Sequence, residues 1–309
     1  MINNLFIAVV ALFMVIKGST MATNYAGRLA ESFRLSKYTI GFIVVAIISI
    51  LPETFIAINS AIDGIPSLGL GVLLGSNVAD LTLVFAIIIF LARRDMKIDS
   101  VILKKHLVYP LMLLLPIILG LNGHYSRLEG SALVLAGGIF YFLAFKNGVE
   151  ERVDVPRKDG RYKNVGMLLF SMMILLVGAN FTVSSVSALA LYFSISPILI
   201  GMFVVGLGTT IPELFFSLKS VRKHDDALAV GDILGTVLAD ATIVVGIIAI
   251  INPFYFPINI IYVAGLFMVV ASVVLIYFMK TGQVLSKKEA VLLFLFWILF
   301  AIVETNVIR

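Results

Sequence analysis

The amino-acid sequence predicts an all-α polytopic membrane protein. Ten transmembrane helices are expected, as two inverted-topology repeats of five, with helices 2, 3, 7 and 8 broken around a site at the membrane midplane. Three observations carry this expectation. The chain has 309 residues, is 61% hydrophobic with a mean hydropathy of +1.09, and only 13% of it is charged, whereas a soluble domain carries about a quarter charged residues. One 40-residue stretch occurs twice, at a constant offset of 160 residues. Lys and Arg fall almost entirely on alternate loops.

Apolar runs near the roughly 20 residues needed to cross a bilayer place spans at about 2–28, 38–62, 67–91, 102–120, 126–145, 164–191, 198–222, 225–251, 257–279 and 287–307. The short alternating segments of a β-barrel are missing. The first 22 residues read as span 1 rather than a signal peptide, because the first basic residue, Lys17, sits inside the apolar run. Hairpins at Asp63-Gly64-Ile65-Pro66, Leu121-Asn122-Gly123-His124 and Asn252-Pro253 keep neighbouring spans antiparallel. The longest polar stretch, 146–163, divides the chain into a first five-helix repeat (1–145) and a second (164–309).

Charge orients the spans. The loops after spans 1, 3, 5, 7 and 9 hold 20 of the 23 Lys and Arg, and the opposite side holds only Arg127 and Arg309. Basic loops stay on the cytoplasmic side. Both termini are therefore expected outside a cell membrane, with the 146–163 loop cytoplasmic. The net charge of +5 follows from these loops and is no nucleic-acid signal.

The repeated stretches are residues 41–80 and 201–240, which match at 13 of 40 aligned positions. The matches include Gly41/Gly201, Pro52/Pro212, Glu53/Glu213, Gly75/Gly235 and Asp80/Asp240. Apolar matches are cheap between membrane segments. Acids are not, since a charge at a helix centre costs roughly 2.5–3.5 kcal/mol even on lenient insertion scales. Five spans per repeat is an odd number, so the second half enters the membrane inverted. Carriers with inverted repeats hold substrate at the midplane between the halves.

The polar residues inside the spans define a chemistry. Pro52 and Pro212 each remove a backbone hydrogen bond, which loosens the carbonyls near Ile48 and Gly208, and those of Ala46 and Gly206 with further unwinding. Glu53 follows Ser49 by one helical turn, and Glu213 follows Thr209 likewise. Asp80 and Asp240 follow Ser76 and Thr236 by four residues. Four acids, several hydroxyls and loosened carbonyls form an all-oxygen set. Hard cations such as Ca²⁺ take six to eight oxygens, and Na⁺ accepts similar ligands. The set contains no His, and the chain has no Cys, which disfavours zinc and copper and excludes disulfides and thiolate catalysis.

These paired segments resemble the two α-repeats of the cation/calcium antiporter superfamily, and the chain resembles a prokaryotic sodium/calcium exchanger. The family pattern is about G-T-S-x-P-E on the second and seventh spans and G-S-N-x-x-[ND] on the third and eighth. This chain reads Ser49-Ile50-Leu51-Pro52-Glu53, Gly208-Thr209-Thr210-Ile211-Pro212-Glu213, Gly75-Ser76-Asn77-Val78-Ala79-Asp80 and Gly235-Thr236-Val237-Leu238-Ala239-Asp240. The resemblance implies secondary antiport of Ca²⁺ against Na⁺ by alternating access, with spans 1 and 6 as the sliding gate. It implies Glu53 and Glu213 as central Ca²⁺ ligands, assisted by Ser49 and Thr209. Thr210, Thr236 and the Gly206 carbonyl would flank one Na⁺ site, and Ser76 with the Ala46 carbonyl another. Asp80 and Asp240 would complete the middle. Ile50 replaces the usual hydroxyl, Asp80 a frequent Asn, and Val237 another Asn. The loss of an oxygen and the gain of an acid favour H⁺-coupled export of Ca²⁺ or another divalent cation as the alternative.

Other classes fit less well. A passive channel also uses rings of acids, but broken helices in an inverted repeat suit a carrier. The Gly-x-Gly-Asp signature of intramembrane aspartyl proteases is missing, as is a phosphate-binding Gly-x-x-x-x-Gly-Lys-[Ser/Thr] motif. The chain is thus expected to be no enzyme, to need no cofactor beyond its transported ions, to bind no nucleic acid and to work as a monomer in the bilayer. The 146–163 loop is too short for a calcium-sensing domain. Lys17 is expected to pair structurally, to snorkel or to stand in for a coupling cation. Asp232 is read as lining the ion pathway or as an acid solvated at the interface. Asn59 is read as a helix–helix hydrogen bond, the His224-Asp225-Asp226 stretch as a polar turn, and 157–163 as a solvated charge run. His106 and His124 carry no signal.

Overall fold

The computed structural model describes residues 2–30, 37–98, 108–148 and 161–307. His106, Phe33 and Ser36 (which match Phe193 and Ser196 at the same offset of 160), the start of span 4 and most of the 146–163 linker lie outside the described residues.

The described chain is almost wholly helical. Eight helices are long and apolar enough to cross a bilayer. A ninth span is the bent pair Ile40–Ser49 and Leu51–Ile62, and the apolar helix Val108–Asn122 falls at the place of span 4. These elements occupy the positions of the ten expected spans. Spans 3 (Pro66–Ala92) and 8 (Asp226–Ile251) are nearly enclosed at the centre. Spans 1, 5, 6 and 10 turn most of their surface outward. Spans 1 (Ile2–Ala30) and 6 (Arg161–Phe193) pack along each other at the side of the bundle.

Only one of the four expected breaks is a sharp bend. Span 2 turns by 41° at Ile50, where Pro52 sits in the first turn of the second segment and has no N–H to return to the Ile48 carbonyl. Spans 3, 7 and 8 run on as continuous helices instead. In span 7 the helix Gly206–Arg222 passes through Pro212. The three spans carry π-turns at Asp80–Val84, Gly201–Val205 and Asp240–Val244. A π-turn absorbs one extra residue without ending the helix, and such turns recur at functional sites. Those of spans 3 and 8 start on the two repeat-matched aspartates.

Glycine sets the crossing of the two halves. A Cβ at Gly75 would lie 2.4 Å from the Met202 carbonyl oxygen, and one at Gly235 would lie 2.4 Å from that of Phe42. The second pair is the first with each residue exchanged for its repeat counterpart, 160 residues away. Span 3 therefore rests on span 7, and span 8 on span 2, at backbone distance. Without water between helices, small residues that permit such approach drive association in membranes.

Short ribbons tie the halves at their ends. Strand β1 (Met96–Lys97) pairs antiparallel with β4 (Val284–Leu285), and β2 (His124–Tyr125) with β3 (Phe254–Tyr255). Each ribbon joins two loops that an alternating path puts on one side of the membrane. Beside the first ribbon, the Arg94 guanidinium forks onto the Asp226 carboxylate, donating Nη1 to Oδ2 at 2.8 Å and Nη2 to Oδ1. Asp226 also accepts the Lys97 N–H at 2.8 Å.

Candidate functional site

The crossing of spans 2, 3, 7 and 8 is where the sequence-predicted acids meet. Glu53, Asp80, Glu213 and Asp240 are all buried, each at 3% exposure or less. Glu53 stands in the first turn after the span 2 bend, and Asp80 and Asp240 open the π-turns of spans 3 and 8. Six carboxylate oxygens have no hydrogen-bond partner: Oε2 of Glu53, Oε1 of Glu213 and both oxygens of Asp80 and Asp240. A carboxylate in a dry interior is costly unless something positive satisfies it.

The acids face one another across the two halves. The Glu53 carboxyl meets the Thr209 side chain, and Glu213 meets Thr236 and the carboxyl of Asp80. Two carboxyl groups in contact require a cation or a proton between them. Among the described residues, no three acids or histidines converge as a ready-made metal centre. Any ion held here takes the rest of its shell from hydroxyls and carbonyls.

Those oxygens are in place. Ser49, Ser76, Thr209, Thr210 and Thr236 are buried. Four of the five give their proton to a carbonyl of their own helix: Thr209 to Gly206 at 2.9 Å, Thr210 to Leu207 at 3.0 Å, Ser76 to Leu73 at 3.2 Å and Thr236 to Asp232 at 3.0 Å. Their oxygen lone pairs are left for another partner. The Ala46 and Gly206 carbonyls, expected to be loosened, are both bonded: Ala46 accepts the Ile50 N–H at 3.0 Å and Gly206 the Thr209 hydroxyl.

Several residues stand differently from the sequence reading. Asp232 is not solvated at an interface. It is fully buried, and it accepts the Ser49 hydroxyl at 2.8 Å and the Ser217 hydroxyl at 3.2 Å. Its charge is close enough to repel Asp80 and Glu213. Lys17 does not reach the acids. It is exposed on span 1 with its ammonium 5.5 Å from the centre of the Phe13 ring, the posture of a snorkelling side chain. Asn59 does join two helices, accepting from Asn180 of span 6 at 3.4 Å. Sequence reasoning missed Tyr109 and Tyr141, whose hydroxyls hold the Leu234 and Gly235 carbonyls of span 8. It also missed Glu304 of span 10, fully buried with both oxygens unpartnered.

Comparison with known proteins gives the family and the fold. The profile of the family described as "Sodium/calcium exchanger protein" matches residues 3–146 and 163–306, one block on each side of the polar linker. The inner membrane protein YrbG of Escherichia coli K12 is 28% identical over 260 residues, 79% of each chain. The sodium/calcium exchanger MaX1 of Methanosarcina acetivorans is 22% identical over 97% of this chain and 98% of its own. A solved structure of the sodium-calcium exchanger NCX_Mj, soaked with Na⁺ and Sr²⁺, has the same fold, with a TM-score of 0.72 at 23% identity over 96% of this chain and 97% of that one. Fold and family together define an integral, multi-pass membrane transporter of the cation antiporter class. The chain belongs to the sodium/calcium exchanger protein family.

Proposed function

We propose that this protein is a secondary active antiporter that exchanges Ca²⁺ for Na⁺ across the cell membrane by alternating access. The observation that carries the reading is the set of six unpartnered carboxylate oxygens on Glu53, Asp80, Glu213 and Asp240, buried where the two halves cross. Glu53 and Glu213 are the central Ca²⁺ ligands, with Ser49 and Thr209 beside them. Thr210, Thr236 and the Gly206 carbonyl flank one Na⁺ position, and Ser76 with the Ala46 carbonyl another. Asp80 and Asp240 close the middle of the set. Residues 1–145 and 164–309 act as two inverted five-helix repeats joined by a cytoplasmic 146–163 linker, with both termini outside. Spans 1 and 6, packed together at the flank of spans 2 and 7, move as the gate.

The contact between the Asp80 and Glu213 carboxyls favours a second reading, H⁺-coupled antiport of Ca²⁺ or another divalent cation. A proton shared between the two acids would then be the counter-ion, and Ile50 would be an oxygen that such a cycle does not need.

The test is ⁴⁵Ca²⁺ uptake into proteoliposomes, driven in parallel by outward Na⁺ and outward H⁺ gradients. Na⁺-driven uptake supports the first reading. Uptake driven by H⁺ alone moves the protein to the second, and no uptake under either gradient removes Ca²⁺ as the substrate.

A further inference from the structure

We infer that Asp232 is a positioning residue that turns Ser49 into an ion ligand on one half of the site only. The inference rests on the proposed role of Ser49 in Ca²⁺ and Na⁺ exchange. A hydroxyl has one proton and two lone pairs. It serves a cation only when its proton is committed elsewhere and its oxygen faces the ion. Four of the site hydroxyls give their proton to a carbonyl of their own helix. Ser49 is the exception among them. It is the last residue before the bend of span 2, and it donates across the interface to Oδ1 of Asp232 on span 8 at 2.8 Å.

The repeat shows that this bridge is an addition to the common plan. The counterpart of Ser49 is Thr209, which serves itself from the Gly206 carbonyl. The counterpart of Asp232 is Val72, and the counterpart of Ser217, which donates to Oδ2 of Asp232 at 3.2 Å, is Ala57. Val72 and Ala57 are fully buried and have no polar atom in their side chains. Two apolar positions of the first half are thus an acid and a hydroxyl in the second, and together they form one bridge from span 7 through span 8 to span 2. The bond commits the Ser49 proton to Asp232 and leaves the Ser49 oxygen lone pairs to a cation. The bridge also locks the rotamer of a residue at a helix bend, where the backbone holds it least. Asp232 and Ser217 lie one turn beyond Thr236 and Glu213 on the side of the 223–225 hairpin, so the asymmetry favours one mouth of the pathway.

The experiment is a double-mutant cycle on full-length protein in proteoliposomes, reading KM and Vmax for ⁴⁵Ca²⁺. Asp232→Val, which installs the residue of the other half, is expected to raise KM about tenfold, the loss of one charge-assisted hydrogen bond. In a Ser49→Ala background the same change is expected to raise KM less than twofold. Asp232→Asn retains an acceptor for Ser49 and is expected to restore KM to within about threefold of wild type. Equal effects of Asp232→Val in both backgrounds would overturn the inference, as would an Asp232→Asn protein as impaired as Asp232→Val. The second result would make the charge itself the functional element. Absence of Ca²⁺ transport by the wild-type protein is a separate failure, that of the exchange reading.

Discussion

Gly75 of span 3 lies so close to Met202 of span 7 that a Cβ on the glycine would stand 2.4 Å from the Met202 carbonyl oxygen. The obstacle is backbone, which cannot rotate away as a side chain can. Ser76, the next residue, and Asp80, four further on, depend on that crossing for their depth in the site. Gly75→Ala is therefore expected to cost about 1–3 kcal/mol or more from overpacking and to lower transport by displacing Asp80. Gly235→Ala, its counterpart against Phe42, is expected to do the same. Gly138→Ala is the control, because nothing lies within 4 Å of a Cβ there. Thermal unfolding in detergent, read beside uptake, checks all three.

The Asp80 and Glu213 carboxyls lie close enough to act on each other, and two bare carboxylates repel. Replacing Asp80 by Asn keeps the shape and removes one negative charge. Under Na⁺ coupling, Na⁺-driven Ca²⁺ uptake by Asp80→Asn is expected to stay within about tenfold of wild type, the worth of one charge-assisted contact near 1.4 kcal/mol. Any dependence of uptake on pH between 6 and 8 is expected to flatten. Loss of all Ca²⁺ uptake together with loss of H⁺-driven flux would favour the proton-coupled reading.

Arg94 and Asp226 form a two-pronged ion pair beside the β1–β4 ribbon, with side-chain exposures of 24% and 7%. Asp226 holds Arg94 with its guanidinium proton bound more firmly than usual, through their hydrogen bond. The pair is remote from the site acids in its role. Asp226→Ala removes the carboxylate that Arg94 and the Lys97 N–H share and leaves Arg94 only the Asp95 and Val221 carbonyls, at a cost of about 1–3 kcal/mol. A Tm lowered by several degrees with an unchanged KM for Ca²⁺ is the expected outcome. A changed KM with an unchanged Tm would place the pair in the transport cycle instead.

Lys17 is the basic residue that sits inside a span, yet it lies outward against Phe13. Lys17→Ala is expected to leave Ca²⁺ KM and Na⁺ dependence within about twofold, as surface changes usually do. A gain in H⁺ or Na⁺ requirement in that variant would show that Lys17 reaches the ions during the cycle.

Much of this molecule was legible in the sequence because membrane chemistry makes polar residues conspicuous. Pro-Glu pairs and aspartates inside apolar runs, repeated at one spacing, pointed to the crossing of four helices before any geometry was known. The alternation of Lys and Arg matched the pairing of loops by the two ribbons. The misses have physical reasons. Pro212 suggested a break, but the helix continues through it, although span 2 bends at its matching Pro52 and both spans carry a π-turn upstream. No residue propensity announces a π-turn. Asp232 falls near the end of span 8, where a pathway acid and an interface acid look alike, and its repeat partner Val72 gives no matched acid to set it apart. The signal was present in Thr236, one turn later. Glu304 falls in an apolar run near the end of the chain, opposite Ala144 in the repeat, and only packing shows that it is buried.

The central claim is that Glu53 and Glu213, one from each half, hold the same Ca²⁺. Calorimetric titration of the purified protein with Ca²⁺, with and without Na⁺, tests it most directly. The account predicts Ca²⁺ binding that Na⁺ displaces, weakened at least about tenfold by either Glu53→Gln or Glu213→Gln, since each removes a charged ligand worth about 1.5–3 kcal/mol. Wild-type affinity in either variant would contradict it.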